Sequence, residues 1–338
     1  MNLGAISSTM TATRAHWAVI GMTEKSSVAT LLQANDSTMT LRTAIGRVLQ
    51  HEGINFALTN RIPRRALTLF AGRFSRIRQP WIRAGSIALW RFFADVDLGE
   101  AKKEHFESLH DCFTRELREG VRPIVADPQL LASPCDAIIG ATGQVRDGIV
   151  LQAKDQAYPL TALLGDGGLT AKYQHGTYAT LRLTAGMYHR FHAPYDCRIR
   201  QVNYFAGDTW NVNPIALRRV AQLFCKNERA VIRCELSGSG DLITLVPVAA
   251  ILVASIRLHC LDTVLHLRYR GRSEFSCEVP MRKGEEIGWF QHGSTVLVFA
   301  PAGYQLCQGL GEGVPIRVGE PLLRMPSDQH PAHSGGAN

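Results

Sequence analysis

Between Arg61 and Arg91 the sequence has no Asp, Glu or Lys, yet it places eight arginines there. The whole chain carries 37 Lys plus Arg against 29 Asp plus Glu, a net charge of +8, so this one stretch holds the entire excess. A partner with a negative surface is expected to meet the protein there. Cys-x-x-Cys pairs are missing too, as is any zinc-finger spacing. The eight cysteines (112, 135, 197, 225, 234, 260, 277 and 307) are scattered singly, which predicts buried thiols in a reducing compartment and no disulfide framework. No apolar run reaches the roughly 18 residues that a membrane span needs. The best one, Leu242 to Ile256, contains Pro247 and many β-branched residues, and reads as strand. A secretory signal is not expected, because the apolar stretch Trp17 to Met22 is short and runs into Glu24 and Lys25. Repeats and low-complexity segments are also absent. Residues 1–40 show little periodicity and are expected to form a loose extension.

What is present describes a folded chain. Its 338 residues are 46% hydrophobic and 20% charged, enough to bury a core without a disulfide or metal staple. In the arginine-rich stretch Ile62, Ala66, Phe70, Phe74, Ile77 and Trp81 recur at three- and four-residue steps, the period of a helix. Pro63 suits a first turn, and Pro80 is expected to end or kink the helix. A second apolar stretch runs from Trp81 to Phe93. Asp97-x-x-Glu100 then predicts a cap for a helix with Phe106, Leu109, Phe113 and Leu117 on one face and Gly120 as its stop. Basic, aromatic helices of this kind either pack inward with a solvated charged face or lie in a membrane interface, and the residues alone leave both open.

After Arg122-Pro123 the texture changes to short β-rich runs: 137–139, 148–153, 179–183, 197–205, 230–236, 242–256, 264–268 and 296–300. One helix, from Pro214 to about Lys226 with Asn213 as its cap, interrupts them. The predicted class is α+β, a mostly antiparallel β-sheet core with an amino-terminal amphipathic helical part. Its expected divisions are the extension 1–40, a helical region 41–120 and a β-rich region 121–338.

Three short stretches put reactive groups beside turn residues. They are Ser133-Pro134-Cys135-Asp136, Tyr188-His189-Arg190-Phe191-His192-Ala193-Pro194, and Lys283-Gly-Glu-Glu-Ile-Gly-Trp-Phe-Gln-His-Gly-Ser-Thr-Val296. Asp136, His192 and Ser294 could form an acid, base and hydroxyl relay, in an order that hydrolytic triads use. A serine hydrolase is therefore one reading, although Gly293-Ser294 lacks the Gly-x-Ser-x-Gly elbow of the α/β-hydrolases. Taken singly, each of these residues is more simply a turn or surface residue. His189 and His192 could ligate a metal, but no third ligand follows at a recognisable spacing, so no metal is expected.

In combination the segments resemble a known family. The run from Lys283 to Val296 looks like the carboxy-terminal signature of phosphatidylserine decarboxylases. Phe113-Thr114-Arg115-Glu116-Leu117 with Arg122-Pro123, Ser133-Pro134-x-Asp136, Tyr188 to Pro194, Val212-Asn213-Pro214 and Asn227-Glu228-Arg229 resemble the same family in the same order. The similarity covers roughly residues 95 to 325. One departure is Ala137, where the family usually has Gly after the Asp.

The resemblance implies a proenzyme that cuts itself between Gly293 and Ser294 and converts Ser294 into a covalent pyruvoyl group. His192 would be the base for that cut, Asp136 would orient it, and His189 would serve the decarboxylation. The pyruvoyl carbonyl would take up the amino group of phosphatidylserine and accept the electrons freed as carbon dioxide leaves, giving phosphatidylethanolamine. A phospholipid substrate also implies a peripheral enzyme on the cytoplasmic side of the cell membrane. Arg64, Arg65, Arg73, Arg76, Trp81 and Trp90 would then meet an anionic lipid surface. The expected partners are that surface, phosphatidylserine and the chain's own two fragments held as a heterodimer, with further dimerisation open and no nucleic acid. A non-catalytic lipid-surface protein that keeps the scaffold is the remaining alternative.

Overall fold

The computed structural model describes residues 51–94, 96–152, 156–252, 255–291 and 294–327. The expected extension over residues 1–40 lies outside them, as does Gly293 of the expected cleavage site. Glu52 onward forms a compact unit. At its centre is an eight-stranded antiparallel sheet. In spatial order its strands are β12 (Glu274–Met281), β7 (Cys197–Phe205), β8 (Arg229–Leu236), β9 (Leu242–Ala249), β14 (Ser294–Ala300), β5 (Thr177–Arg182), β2 (Ala137–Gln144) and β16 (Pro315–Ile316). A four-stranded sheet has the order β11 (Val264–His266), β10 (Ser255–Leu258), β13 (Glu286–Phe290) and β6 (Arg190–His192). A smaller sheet joins β1 (Leu130–Ala132), β17 (Pro321–Arg324) and β15 (Gln305–Leu306), and β3 (Ile149–Gln152) pairs with β4 (Gln156–Pro159). The α+β class with mostly antiparallel pairing is as the sequence predicts.

The large sheet is buried on both faces where it matters for the site. Val296, Val298 and Ala300 of β14 pack with Ile139, Leu181 and Phe191, whereas Leu297 and Phe299 pack with Tyr173, Tyr178 and Val246. A strand covered on both sides loses its polar alternation, which is why residues 296–300 are uniformly apolar. Pro247 sits in the central strand β9, opposite Val296. Having no N–H to give, it interrupts the neighbouring ladder, whose paired residues pass from Arg229–Val248 to Ile232–Leu245. The predicted strand 242–256 is two strands, β9 and β10, separated by a turn in which Leu252 has φ +70°.

Eight helices are described: α1 (Glu52–Asn60), α2 (Arg64–Phe74), α3 (Pro80–Ala94), α4 (Leu109–Phe113), α5 (Leu160–Leu164), α6 (Gly167–Lys172), α7 (Pro214–Arg219) and α8 (Leu223–Lys226). Pro80 opens α3, since a residue without an N–H costs nothing in the first turn. The third predicted helix is only five residues long. Its cap is Ser108, whose Oγ accepts from Asp111 N at 3.1 Å, while Asp97 holds a separate turn through Gly99 N at 2.7 Å. Backbone pairing of Lys102 with Glu116 and of Arg118 with Glu100 (both 2.9 Å) commits the flanking residues to an extended conformation. Asn213 caps α7 as predicted, its Oδ1 accepting from Ala216 N at 2.8 Å, but the expected single helix breaks before α8, at Gln222 with φ +52°. Among the described residues no helix is long and apolar enough to cross a membrane.

Candidate active site

The site begins with the pairing of β6 and β13. Their register sets His192 opposite Glu286 and Arg190 opposite Trp289, and His189 O accepts from Phe290 N at 3.0 Å. The histidine pair is thereby laced to the strand that ends just before the expected cleavage site. Gln291 N donates to Ser255 O (3.2 Å), and Ser294 opens β14 opposite Ala249. The segment joining β13 of the four-stranded sheet to β14 of the large one is therefore anchored at both ends. Its middle, Gly293 included, and the Ser294 side chain lie outside what is described.

His192 is held from both ring nitrogens. Nδ1 lies 2.9 Å from Gly284 O, and since a carbonyl can only accept, Nδ1 carries the proton. Nε2 is then the basic nitrogen, and the Tyr188 hydroxyl, 3.1 Å away, donates to it. Gly284 is needed in this role. It has φ +84°, and a Cβ would come within 2.6 Å of Ile124 Cγ1, so only glycine can present its carbonyl there. Burial pushes the imidazole pKa below its ordinary value. The bond to Gly284 and the charges of Glu286 and Asp136 oppose that shift only in part.

Asp136 follows the turn at Ser133, whose Oγ donates to Cys135 O at 2.9 Å. Its carboxylate is gripped by Arg122 through Nε (3.0 Å) and Nη2 (2.6 Å) and by the backbone N–H of Val318 (2.9 Å). Arg122 Nη2 also reaches Glu100 at 2.7 Å. The sequence reading has Asp136 orienting His192. In the structure the orienting contacts on the ring are Gly284 and Tyr188, and no Asp136–His192 hydrogen bond is found among the described residues. Asp136 acts on the imidazole as a nearby charge, and its turn supports the strand through Pro134 O, which accepts from His192 N at 2.8 Å. Ala137, the departure from the family pattern, is the first residue of β2 and wholly buried, so the extended backbone accommodates its Cβ.

His189 is 1% exposed. Its Nδ1 donates to Met187 O at 2.8 Å, and the Phe113 ring covers it with centroids 4.1 Å apart. Arg190 fixes this wall. It pairs with both oxygens of Glu286 at 3.0 Å, donates to Thr114 O at 2.7 Å and lies 5.1 Å from the Trp289 ring centre.

Sequence reasoning gave no role to Arg122, Tyr188, Arg190 or Gly284. All four lie inside the quoted motifs, so the motifs located them, but only the fold shows what they hold.

Two residues expected at a membrane surface turn inward. Arg64 lies 3.6 Å over the Trp210 ring and pairs with Asp208 at 2.6 Å, and Trp90 packs on Phe113 at 5.5 Å. Both become packing groups because they fall on the covered side of α2 and α3. Arg65, Arg73 and Arg76 are exposed, as is Trp81 (73%), along with Phe70, Phe74, Leu89 and Phe93. Arg76 also donates to Gln291 Oε1 at 2.7 Å, tying the helical segment to the residue that follows β13.

A carboxylate paired with arginine and an imidazole protonated on Nδ1 thus stand beside β13, the strand that ends just before the segment leading to Ser294. A sequence profile described as phosphatidylserine decarboxylase matches residues 109–324. A protein named phosphatidylserine decarboxylase proenzyme from Anaeromyxobacter sp. (strain K) is 35% identical over 268 residues, 77% of this chain and 94% of that one. Proteins of the same name from Aliivibrio fischeri (strain MJ11) and Yersinia pestis (strain Pestoides F) are 33% and 34% identical. They cover 81% and 80% of this chain and 99% and 96% of their own. The chain belongs to the phosphatidylserine decarboxylase family. These matches lend no support to the serine hydrolase or to a non-catalytic lipid-surface protein.

Proposed function

We propose that the chain is a phosphatidylserine decarboxylase proenzyme that cuts itself between Gly293 and Ser294. The observation that carries this reading is His192, held with a basic Nε2 on the strand paired to β13. A hydroxyl is a weak nucleophile near neutral pH and needs such a base within reach. Ser294 Oγ attacks the Gly293 carbonyl as His192 takes its proton. The peptide C–N bond breaks, leaving an ester and an amine at residue 294. β-Elimination then frees the Gly293 carboxylate, and addition of water with loss of ammonia leaves a ketone at the head of the new fragment. Asp136 stabilises the imidazolium by its charge, and Gly284 keeps the ring turned.

The residues present fit a pyruvoyl group at 294. The backbone there is pinned opposite Ala249 in the large sheet, so the new amino terminus stays in place once the bond is cut. The group supplies a carbonyl that serves as the electron sink for decarboxylation. His189, buried on the same wall, is assigned to proton transfer in that second reaction. The two fragments stay together as one folded unit, because β14 is central to a sheet made mostly by the larger one.

The intact masses of the purified polypeptides test the reading. Fragments of 293 and 45 residues are expected, the smaller one blocked to Edman degradation. An active enzyme made of one uncut chain would overturn it.

The proposed location is the cytoplasmic face of the cell membrane. The exposed arginines of α2 would draw the protein to anionic lipid, while Phe70, Trp81, Leu89 and Phe93 enter the interface. Replacing Arg65 and Arg73 by Gln should weaken binding to vesicles rich in phosphatidylserine by roughly fivefold per arginine, and added salt should shrink the difference. Arg64→Gln should instead lower thermal stability, since it breaks the pair with Asp208. Vesicle binding that ignores both salt and the double substitution would remove the proposed surface.

A further inference from the structure

Arg115 is 6% exposed, and its guanidinium is only partly used. Nη2 donates to Gly186 O at 3.0 Å, while Nε and Nη1 are buried without a hydrogen-bond partner among the described residues. Arg122, seven residues on, is saturated by two carboxylates, and Arg190 by a carboxylate and a carbonyl. Among the described residues Arg115 has one carbonyl and no carboxylate partner, and Asp136 and Asp97 act on it only from a distance. Burying a guanidinium with two open donor groups is costly, and an anion that reached them would offset that cost. The arginine also stands in the right place. Its hydrogen-bond partner Gly186 is adjacent to Met187, whose carbonyl holds His189, and Phe113, two residues before Arg115, lies tilted against the His189 ring.

We infer that Arg115 is the anchor for the phosphodiester of the phospholipid head group, a role that rests on the proposed decarboxylase reaction. The substrate offers two anions, and the chemistry separates them. Its carboxylate must shed its charge as carbon dioxide leaves, so a cation clamped on it would stabilise the ground state and slow the reaction. The phosphodiester keeps its charge throughout, and holding it by two N–H groups in a fork positions the serine moiety without penalising the step. Trp90 of α3 lies over the guanidinium at 5.9 Å, and the same helix exposes Trp81, Leu89 and Phe93. The helix beside the guanidinium is thus the one proposed to rest on the bilayer.

Arg115→Gln tests this with two substrates. The variant should mature to the two fragments like wild type, and kcat/KM for a short-chain phosphatidylserine should fall on the order of 100-fold, mostly through KM. With an O-alkyl serine, which keeps the amine and the carboxylate but lacks phosphate, variant and wild type should be equal. An unchanged kcat/KM on phosphatidylserine, or an equal loss on both substrates, overturns the assignment. If Arg115→Gln fails to mature, the wild-type enzyme decides. Glycerophosphoethanolamine should then inhibit it competitively at concentrations where ethanolamine does not, and equal inhibition or none overturns the assignment. A wild-type protein that matures but releases no carbon dioxide from phosphatidylserine would count against the proposed function instead.

Discussion

Ser294→Ala is expected to accumulate as a single uncut chain of 338 residues that releases no carbon dioxide from phosphatidylserine. Both losses have one cause. In the proposed reaction the hydroxyl is the nucleophile that opens the Gly293 carbonyl and its carbon skeleton becomes the ketone on which turnover depends, so removing one oxygen would delete the processing reaction and the catalytic group together. The neighbouring Thr295 offers no substitute. It is wholly buried, and adjacent residues of a strand face opposite ways. The fold should survive, because the backbone pairing of β14 with β9 and β5 does not involve that hydroxyl. Denaturing gels report the cut, and circular dichroism distinguishes an uncut native chain from an unfolded one. Cleavage of Ser294→Ala at this bond would mean that another group is the nucleophile.

Second in expected size is the separation of the two histidines. His192→Ala should slow self-cleavage roughly 10²–10⁴-fold, the usual worth of a positioned base. His189→Ala should cut normally and then decarboxylate poorly. Asp136→Asn should fall between wild type and His192→Ala, because Asp136 acts on the imidazole through its charge and not through a hydrogen bond to it. The pH dependence carries its own sign. Burial lowers the His192 pKa, so the neutral, basic form already prevails at pH 6.5. The fall in cleavage rate on acidification should therefore come at a lower pH than for an ordinary imidazole. Cleavage followed on gels over time, and carbon dioxide released from carboxyl-labelled lipid, read the two reactions separately. An uncut His189→Ala together with a processed His192→Ala would reverse the two roles.

How far the sequence reaches can be judged from particular elements. It identified β7 residue for residue and placed α7 behind its Asn213 cap, because alternation and capping are local properties of a few neighbouring side chains. It did not foresee that residues 97–108 and 114–120 remain outside a helix, since the pairing of Lys102 with Glu116 overrides the local capping pattern. Pro80 shows a subtler limit, as the same residue can end one helix or begin the next, and only the chain around it decides.

By itself the sequence determined which chemical groups the protein owns. The concentration of positive charge in one stretch, the acid, the two histidines and the Gly293-Ser294 bond all follow from residue identity and order. Tertiary structure alone decided how those groups are spent. It put Arg64 on Asp208 and Trp90 on Phe113, which takes them off the exposed face of their helices, and left Arg65 and Trp81 outside. It fixed the His192 tautomer through Gly284, a residue 92 positions away, and gave Asp136 to Arg122. The reason is physical. Which functional groups a side chain carries is fixed by its identity, but its hydrogen-bond partners, its pKa and its place out of water depend on what distant strands bring beside it.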